Sequence, residues 1–293
     1  MFRNNPTLKP SKLRRRRRKI FAMKVLFVFL LFIGFIFLLS WFSKISSLQI
    51  ENIEVSGNST LSSAEITDAV KKETSAKYFF LFSKNSVFLY PKKSIEIKLA
   101  DDFKKIEKLS IKSKGFKTLI ATIVERKPNS LWCFSKSEDG NIRNNANLGK
   151  CYFLDEEGVI FSEAPDFSGN AFLRYYGLLD NIEQPIGKIY LPIGIFKEVS
   201  RFINSLEMLG LKVSGFKAES ENDYEINLKN GIKIIFDDKQ PFGKTLENIE
   251  SILSEVDLKG EYPASNPSKI NYVDLRFGNK VYLKGGVIME TNF

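Results

Sequence analysis

Eighteen consecutive residues without a charge, Val25 to Phe42 (VLFVFLLFIGFIFLLSWF), constrain this chain more than any other feature. A helix rises about 1.5 Å per residue, so roughly 20 apolar residues cross the hydrocarbon core of a bilayer. Ile20 to Met23 lengthen the run if Lys24 extends its ammonium back to the headgroups. Trp41 stands at the far end, where an indole suits the membrane interface. The run shows no polar face, which does not suit a helix of a soluble domain. It also exceeds a signal-peptide core of about 7–15 residues, and Ser43-Lys44-Ile45 follows instead of a small-x-small cleavage site. The expected element is an uncleaved transmembrane helix over residues 25–43.

The formal net charge of +10 has a single source. Residues 1–24 hold ten basic residues (Arg3, Lys9, Lys12, Arg14 to Arg18, Lys19 and Lys24) and no acid. The other 34 basic residues of the chain are balanced by its 34 acids. The positive-inside rule therefore puts residues 1–24 in the cytoplasm as a basic tail and residues 44–293 outside. A run such as Arg14–Lys19 sets topology and attracts anionic lipid. The neutral remainder, with no basic run beyond two residues, argues against a nucleic-acid partner for the folded part.

Cys133 and Cys151 both fall in the external part, where disulfides persist. They read either as a disulfide across a loop of about 18 residues or as two buried free thiols. The chain has no histidine, so two cysteines leave too few ligands for zinc, and Ser-His and Cys-His catalysis are excluded. The acidic runs Asp101-Asp102, Asp155-Glu156-Glu157 and Asp237-Asp238 read as turns or solvated faces, because adjacent strand residues point to opposite faces. No cofactor motif stands out, and no enzyme activity is expected.

Beyond the membrane run, Ile50 to Val55 alternates as a half-buried strand does, and Ser56-Gly57-Asn58 supplies turn chemistry. Ser62 and Glu65 have capping-box spacing, with Leu61 and Ile66 in the staple positions of a helix running to about Lys72. Tyr78-Phe79-Phe80-Leu81-Phe82 is a dense apolar cluster in a loop; it reads as a loop tucked over the core, with partner docking as the other option. Pro91 suits a first helical turn, and Ile95, Leu99 and Phe103 share a face. Strands around 109–111 and 118–124 complete a βααββ order. The second half is mostly β, with short strands at 131–134, 151–154 and 159–161, and further strands at 212–218, 223–229, 232–236 and 270–284. Helices are expected at 195–209 and 242–256, where apolar residues recur at three and four.

Four segments in this order resemble the FtsQ/DivIB family of bacterial division proteins. Ile53-Glu54-Val55-Ser56-Gly57-Asn58 is similar to the opening strand of that family's POTRA domain, and Val124-Glu125-Arg126-Lys127-Pro128 to its Glu-Arg-x-Pro end. Tyr152 to Phe161 resembles the tyrosine-x-x-Asp-x-x-Gly segment opening the β domain, and Tyr272-Val273-Asp274-Leu275-Arg276-Phe277 the closing Asp-Leu-Arg stretch. The Phe-rich 78–82 segment, the insertion at 135–150 and the cysteines are departures from the family pattern. The resemblance implies an α+β fold: a basic tail (1–24), a transmembrane helix (25–43), a POTRA-like βααββ domain (44–127), an antiparallel β domain with two packed helices (128–286) and a C-terminal tail (287–293). It further implies a non-enzymatic divisome scaffold at the septum that binds FtsB- and FtsL-like bitopic proteins and regulates septal peptidoglycan synthesis. By position in the motif, Tyr272, Arg276, Phe277 and Asn279 match partner-contacting residues on an edge strand at 271–284. For Arg276 the alternative is an intradomain ion pair with Asp274; for Phe277 it is a place in the core. Two rival functions are a POTRA component of a transport machine and an anchored receptor.

Overall fold

The apolar run is part of a longer helix, α1 (Lys12–Phe42), which also takes in most of the basic stretch before it. In this computed structural model the described residues are 12–134, 149–166, 171–179, 184–220, 222–253, 258–259, 270–278, 280–285 and 290–292. Within α1, Arg16–Phe42 is long and apolar enough to cross a membrane. Large apolar side chains are exposed along it from Ile20 to Phe42, as a surface solvated by lipid requires. The chain divides into two units after Glu125.

The first unit has the expected βααββ order. Its strands are β1 (Asn52–Ser56), β4 (Ile106–Lys114) and β5 (Thr118–Glu125); its helices are α2 (Ser63–Thr74) and α3 (Lys92–Asp102). β5 is central, parallel to β1 and antiparallel to β4. Alternation puts Leu119, Ala121 and Ile123 of β5 on one face, where they meet Ile66 and Val70 of α2 and Ile95 and Leu99 of α3 in a single core. Pro91 caps α3 without entering it.

The start of α2 is not the expected capping box. The Ser62 side chain makes no capping bond. The Glu125 carboxylate, arriving at the end of β5, accepts instead from the backbone N–H groups of Ser59, Thr60 and Leu61 and from the Ser59 and Thr60 hydroxyls. Burial pushes this carboxyl up, but the Thr60 hydroxyl and the backbone donors outweigh it and hold it down at about 2. Gly57, at φ 82°, lets the chain turn against β5: a Cβ there would sit 2.1 Å from the Ile123 carbonyl oxygen.

The 78–82 cluster is not tucked over the core. β2 (Lys77–Tyr78) and β3 (Phe82–Ser83) form a short antiparallel ribbon. A tight turn closed by the Leu81 N–H on the Tyr78 carbonyl directs Phe79 and Phe80 outward, 86% and 93% exposed. Both have positive φ, 47° and 61°, and are the only non-glycine residues so placed among those described. A left-handed conformation costs a non-glycine residue roughly 1–2 kcal/mol.

The second unit is one mixed sheet. Its strands are β6 (Ser130–Cys133), β7 (Cys151–Leu154), β8 (Ile160–Glu163), β9 (Arg174–Gly177), β10 (Val213–Ala218), β11 (Asp223–Leu228), β12 (Lys233–Asp237), β13 (Ile270–Phe277), β14 (Lys280–Gly285) and β15 (Glu290–Asn292). Their spatial order is 15-14-13-12-11-10-9-6-7-8. It is not wholly antiparallel: β6–β9, β9–β10 and β12–β13 run parallel. A parallel pair needs a crossover; the two helices supply it for β9–β10 and β12–β13, whereas β6 reaches β9 through β7 and β8. α4 (Ile193–Met208) lies between β9 and β10 in sequence, and α5 (Phe242–Ile252) between β12 and β13. Phe196, Val199, Phe202, Ile203 and Leu206 of α4 and Phe242, Ile249 and Ile252 of α5 join the core with Tyr175, Phe216, Tyr224 and Phe236 of the sheet. Each such fully buried apolar side chain contributes about 1.5–3 kcal/mol before entropy is subtracted.

Two joints fix the sheet's β6–β8 end. Cys133 and Cys151, opposite each other on β6 and β7, are disulfide-bonded. Asp155, buried in the turn after β7, accepts from the backbone N–H groups of Glu157 and Val159, both at 2.9 Å, and pairs with the Arg126 guanidinium. Gly158 closes that turn at φ 79°, where a Cβ would lie 2.8 Å from the Phe196 ring. The insertion residues 135–148 lie outside the described residues.

Candidate partner-binding site

The β13–β14 hairpin carries the residues singled out in the sequence. Val273 and Leu275 of β13 and Val281 and Leu283 of β14 are buried in the core. By alternation, Tyr272 and Asp274 fall on the other face, with Tyr282 and Lys284 opposite them on β14. The register shifts between Asp274 and Phe277, so the strand bulges as it enters the turn at Gly278, φ 68°.

The bulge settles where Arg276 goes. Its Nε donates to Asp274 Oδ1 at 2.9 Å and its terminal nitrogen to Asp274 Oδ2 at 2.6 Å, a two-pronged pair. Its backbone N–H donates to the same carboxylate at 3.2 Å, and its other terminal nitrogen lies 3.7 Å from Asp223. The intradomain ion pair with Asp274, given as the alternative for Arg276, is thus formed. The reason is local: Asp274 is buried and needs a counter-charge, and Arg276 is the nearest one. Lys233 does the same for the buried Glu225 across β11 and β12.

Phe277 is not a core residue. It is 54% exposed and meets Tyr282 edge to face, ring centroids 4.7 Å apart. Tyr272 is half-buried, opposite Lys233 and Lys284. Asn279 lies outside the described residues. Sequence reading missed Tyr282, although its place two residues from both Lys280 and Lys284 on an alternating strand puts it on Tyr272's face.

The 271–284 hairpin is also not a bare sheet edge. β13 is interior, between β12 and β14. Residues 290–292, expected as part of a tail, form β15 and pair with Lys280, Val281 and Tyr282 of β14. Among the described residues, no cluster of three or more carboxylates or cysteines is arranged to hold a metal.

Residues 143–276 match the family described as cell division protein FtsQ/DivIB, C-terminal. The chain carries the C-terminal domain of the FtsQ/DivIB family. The matched FtsQ/DivIB region spans β7 to β13 with α4 and α5, and ends at Arg276, one residue before the exposed Phe277. No curated protein matches the chain. The matched domain supports a role in cell division, and α1 is a candidate membrane anchor.

Proposed function

We propose that this protein is a non-enzymatic, single-span scaffold of the division machinery at the septum, with residues 1–24 in the cytoplasm and both folded units outside. It binds small bitopic division proteins of the FtsB and FtsL type and so regulates septal peptidoglycan synthesis. The observation that carries this reading is an FtsQ/DivIB C-terminal domain held behind one apolar helix. The charge asymmetry across that helix supports the orientation, and the disulfide fits a compartment outside the cytoplasm.

Binding occurs by strand addition at β14. A sheet edge offers unpaired N–H and C=O groups, and an extended partner segment satisfies them. β15, paired with Lys280, Val281 and Tyr282 of that edge, is the element a partner strand displaces. Phe277 and Tyr282 supply the exposed aromatic anchor on which interface energy concentrates. Arg276 acts through Asp274 by holding the bulge.

The test is capture from the organism's membranes with the full chain, beside a Phe277→Ala, Tyr282→Ala double variant. Recovery of small bitopic division proteins by the parent and not by the variant supports both role and site. Equal recovery moves the site elsewhere, and recovery of no division protein by either ends the scaffold reading.

A further inference from the structure

The β2–β3 ribbon is joined to the end of α1 at two levels. The Ser83 N–H donates to the Ser43 hydroxyl at 3.3 Å, and the Ser40 hydroxyl donates to the Leu81 carbonyl at 2.7 Å. Ser40 and Ser43 are one helical turn apart, and both are buried although neighbouring α1 side chains are exposed. Moving from Ser83 to Leu81 thus descends α1 from its exit toward its apolar interior. Phe79 and Phe80 follow next and carry the chain onward from the level of Ser40. That level lies inside Arg16–Phe42, the stretch apolar enough to cross a membrane. The position is fixed from the other side as well: the Ile50 N–H donates to the Asn85 carbonyl and the Val87 N–H to the Leu48 carbonyl, at 2.8 and 3.0 Å.

We propose that the Phe79-Phe80 turn inserts into the outer interfacial layer of the same bilayer that α1 spans, as a second membrane contact of the first unit. The inference rests on α1 being a membrane span. Two bulky rings in left-handed conformation, almost fully exposed, gain nothing from packing within the unit. Lipid supplies the apolar surroundings they lack. The charges agree. Lys77 and Lys84 flank the ribbon, with the Lys84 ammonium 4.9 Å from the centre of the Tyr78 ring. An apolar tip with a basic collar suits an interface bearing anionic headgroups. Trp41, exposed beside Ser40, marks the same layer. The contact limits how far the first unit can lift from the membrane.

The test uses the full chain in vesicles of phosphatidylcholine and phosphatidylglycerol, with lipids brominated near the headgroup end of their chains. The parent's Trp41 reports whether α1 is in the bilayer; Trp132, buried in the second unit, gives a constant background. A Phe80→Trp variant in a Trp41→Phe background then reports on the turn. Quenching of the introduced indole comparable with that of Trp41, with blue-shifted emission, is expected. Quenched Trp41 beside an unquenched, water-like introduced indole overturns the proposal while leaving α1 a span, and directs attention to a protein occupant. If Trp41 itself is unquenched, the span reading fails and the proposal with it. A Phe80→Trp in which the aqueous quencher acrylamide reaches the indole equally with and without vesicles also counts against insertion.

Discussion

Replacing Glu125 with glutamine should loosen the turn that starts α2 and remove a pH dependence from the first unit. The native carboxylate accepts from three successive backbone N–H groups and two hydroxyls, and its titration drops from the ordinary 4.5 to about 2. By linkage such a drop carries at most about 3 kcal/mol at neutral pH. The group is partly exposed, so solvent screening reduces this to about 1–2 kcal/mol. Because the folded carboxyl titrates below the unfolded one, the stabilisation is complete above about pH 4.5. It declines as pH falls below that value and is gone below about 2. Hydrogen exchange of backbone amides in 59–74, followed by mass spectrometry on the full chain in detergent, reads the opening directly. At pH 7 the Glu125→Gln variant should exchange roughly 5–30 times faster there, with peptides of the second unit unchanged. Stepping down in pH, the two proteins should converge. Equal protection at pH 7, or a difference that persists undiminished near pH 2, would refute the clamp.

Four further outcomes follow from the second unit. Reducing the Cys133–Cys151 bond, or replacing both residues with serine, should destabilise that unit by about 3 kcal/mol, read by thermal melting of the region followed at Trp132. Arg126→Ala should cost about 3–5 kcal/mol, because it leaves Asp155 buried without its counter-charge; Arg126→Lys should recover part of this. Gly158→Ala should cost about 1–3 kcal/mol by forcing a Cβ into the Phe196 ring at positive φ, measured by urea denaturation. Removing residues 287–293 should strengthen capture of the division partner about tenfold, because a partner strand no longer has to displace β15; unchanged or weaker capture refutes displacement.

Much of this fold was legible because burial imposes period. The Ile-, Thr- and Val-rich run of β5 and the three-and-four spacing in α4 and α5 follow from facing the cores of their own units. The tilt toward parallel pairing was not legible, since strand patterns do not name their neighbours; only the helices between β9 and β10 and between β12 and β13 betray the crossovers. The Ser62–Glu65 spacing misled because capping propensity is local: the Ser62 side chain makes no cap bond, and the turn that precedes it is held by a carboxylate 65 residues away. Phe79 and Phe80 misled for the opposite reason. Apolar character argues for burial, but a two-residue turn at positive φ leaves a side chain nowhere to go but outward. At the candidate site, the alternation of β13 placed Tyr272 and Asp274 on one face, but only the bulge shows that Arg276 doubles back on Asp274.

The motif residues that gave the chain its likeness to FtsQ/DivIB divide by task. Gly57 lets the chain pass against β5, and Glu125 closes the turn that Gly57 begins; both serve the first unit. Arg126, the next residue, serves the second by holding Asp155, whose turn is closed by Gly158. The boundary between units thus falls at a single peptide bond with a charge clamp on either side, each directed into its own unit. Asp274 and Arg276 form a third such joint. Residues committed to buried pairs are poor donors to a partner, because each would have to abandon a desolvated counter-charge first. Phe277, exposed, and Tyr282, half-buried, lie outside these pairs. Partner specificity should accordingly follow the aromatic pair and the backbone of β14. Exchanging Phe277 and Tyr282 for other aromatic residues should retain binding, whereas Asp274→Asn should loosen the bulge and weaken binding only as far as Phe277 moves.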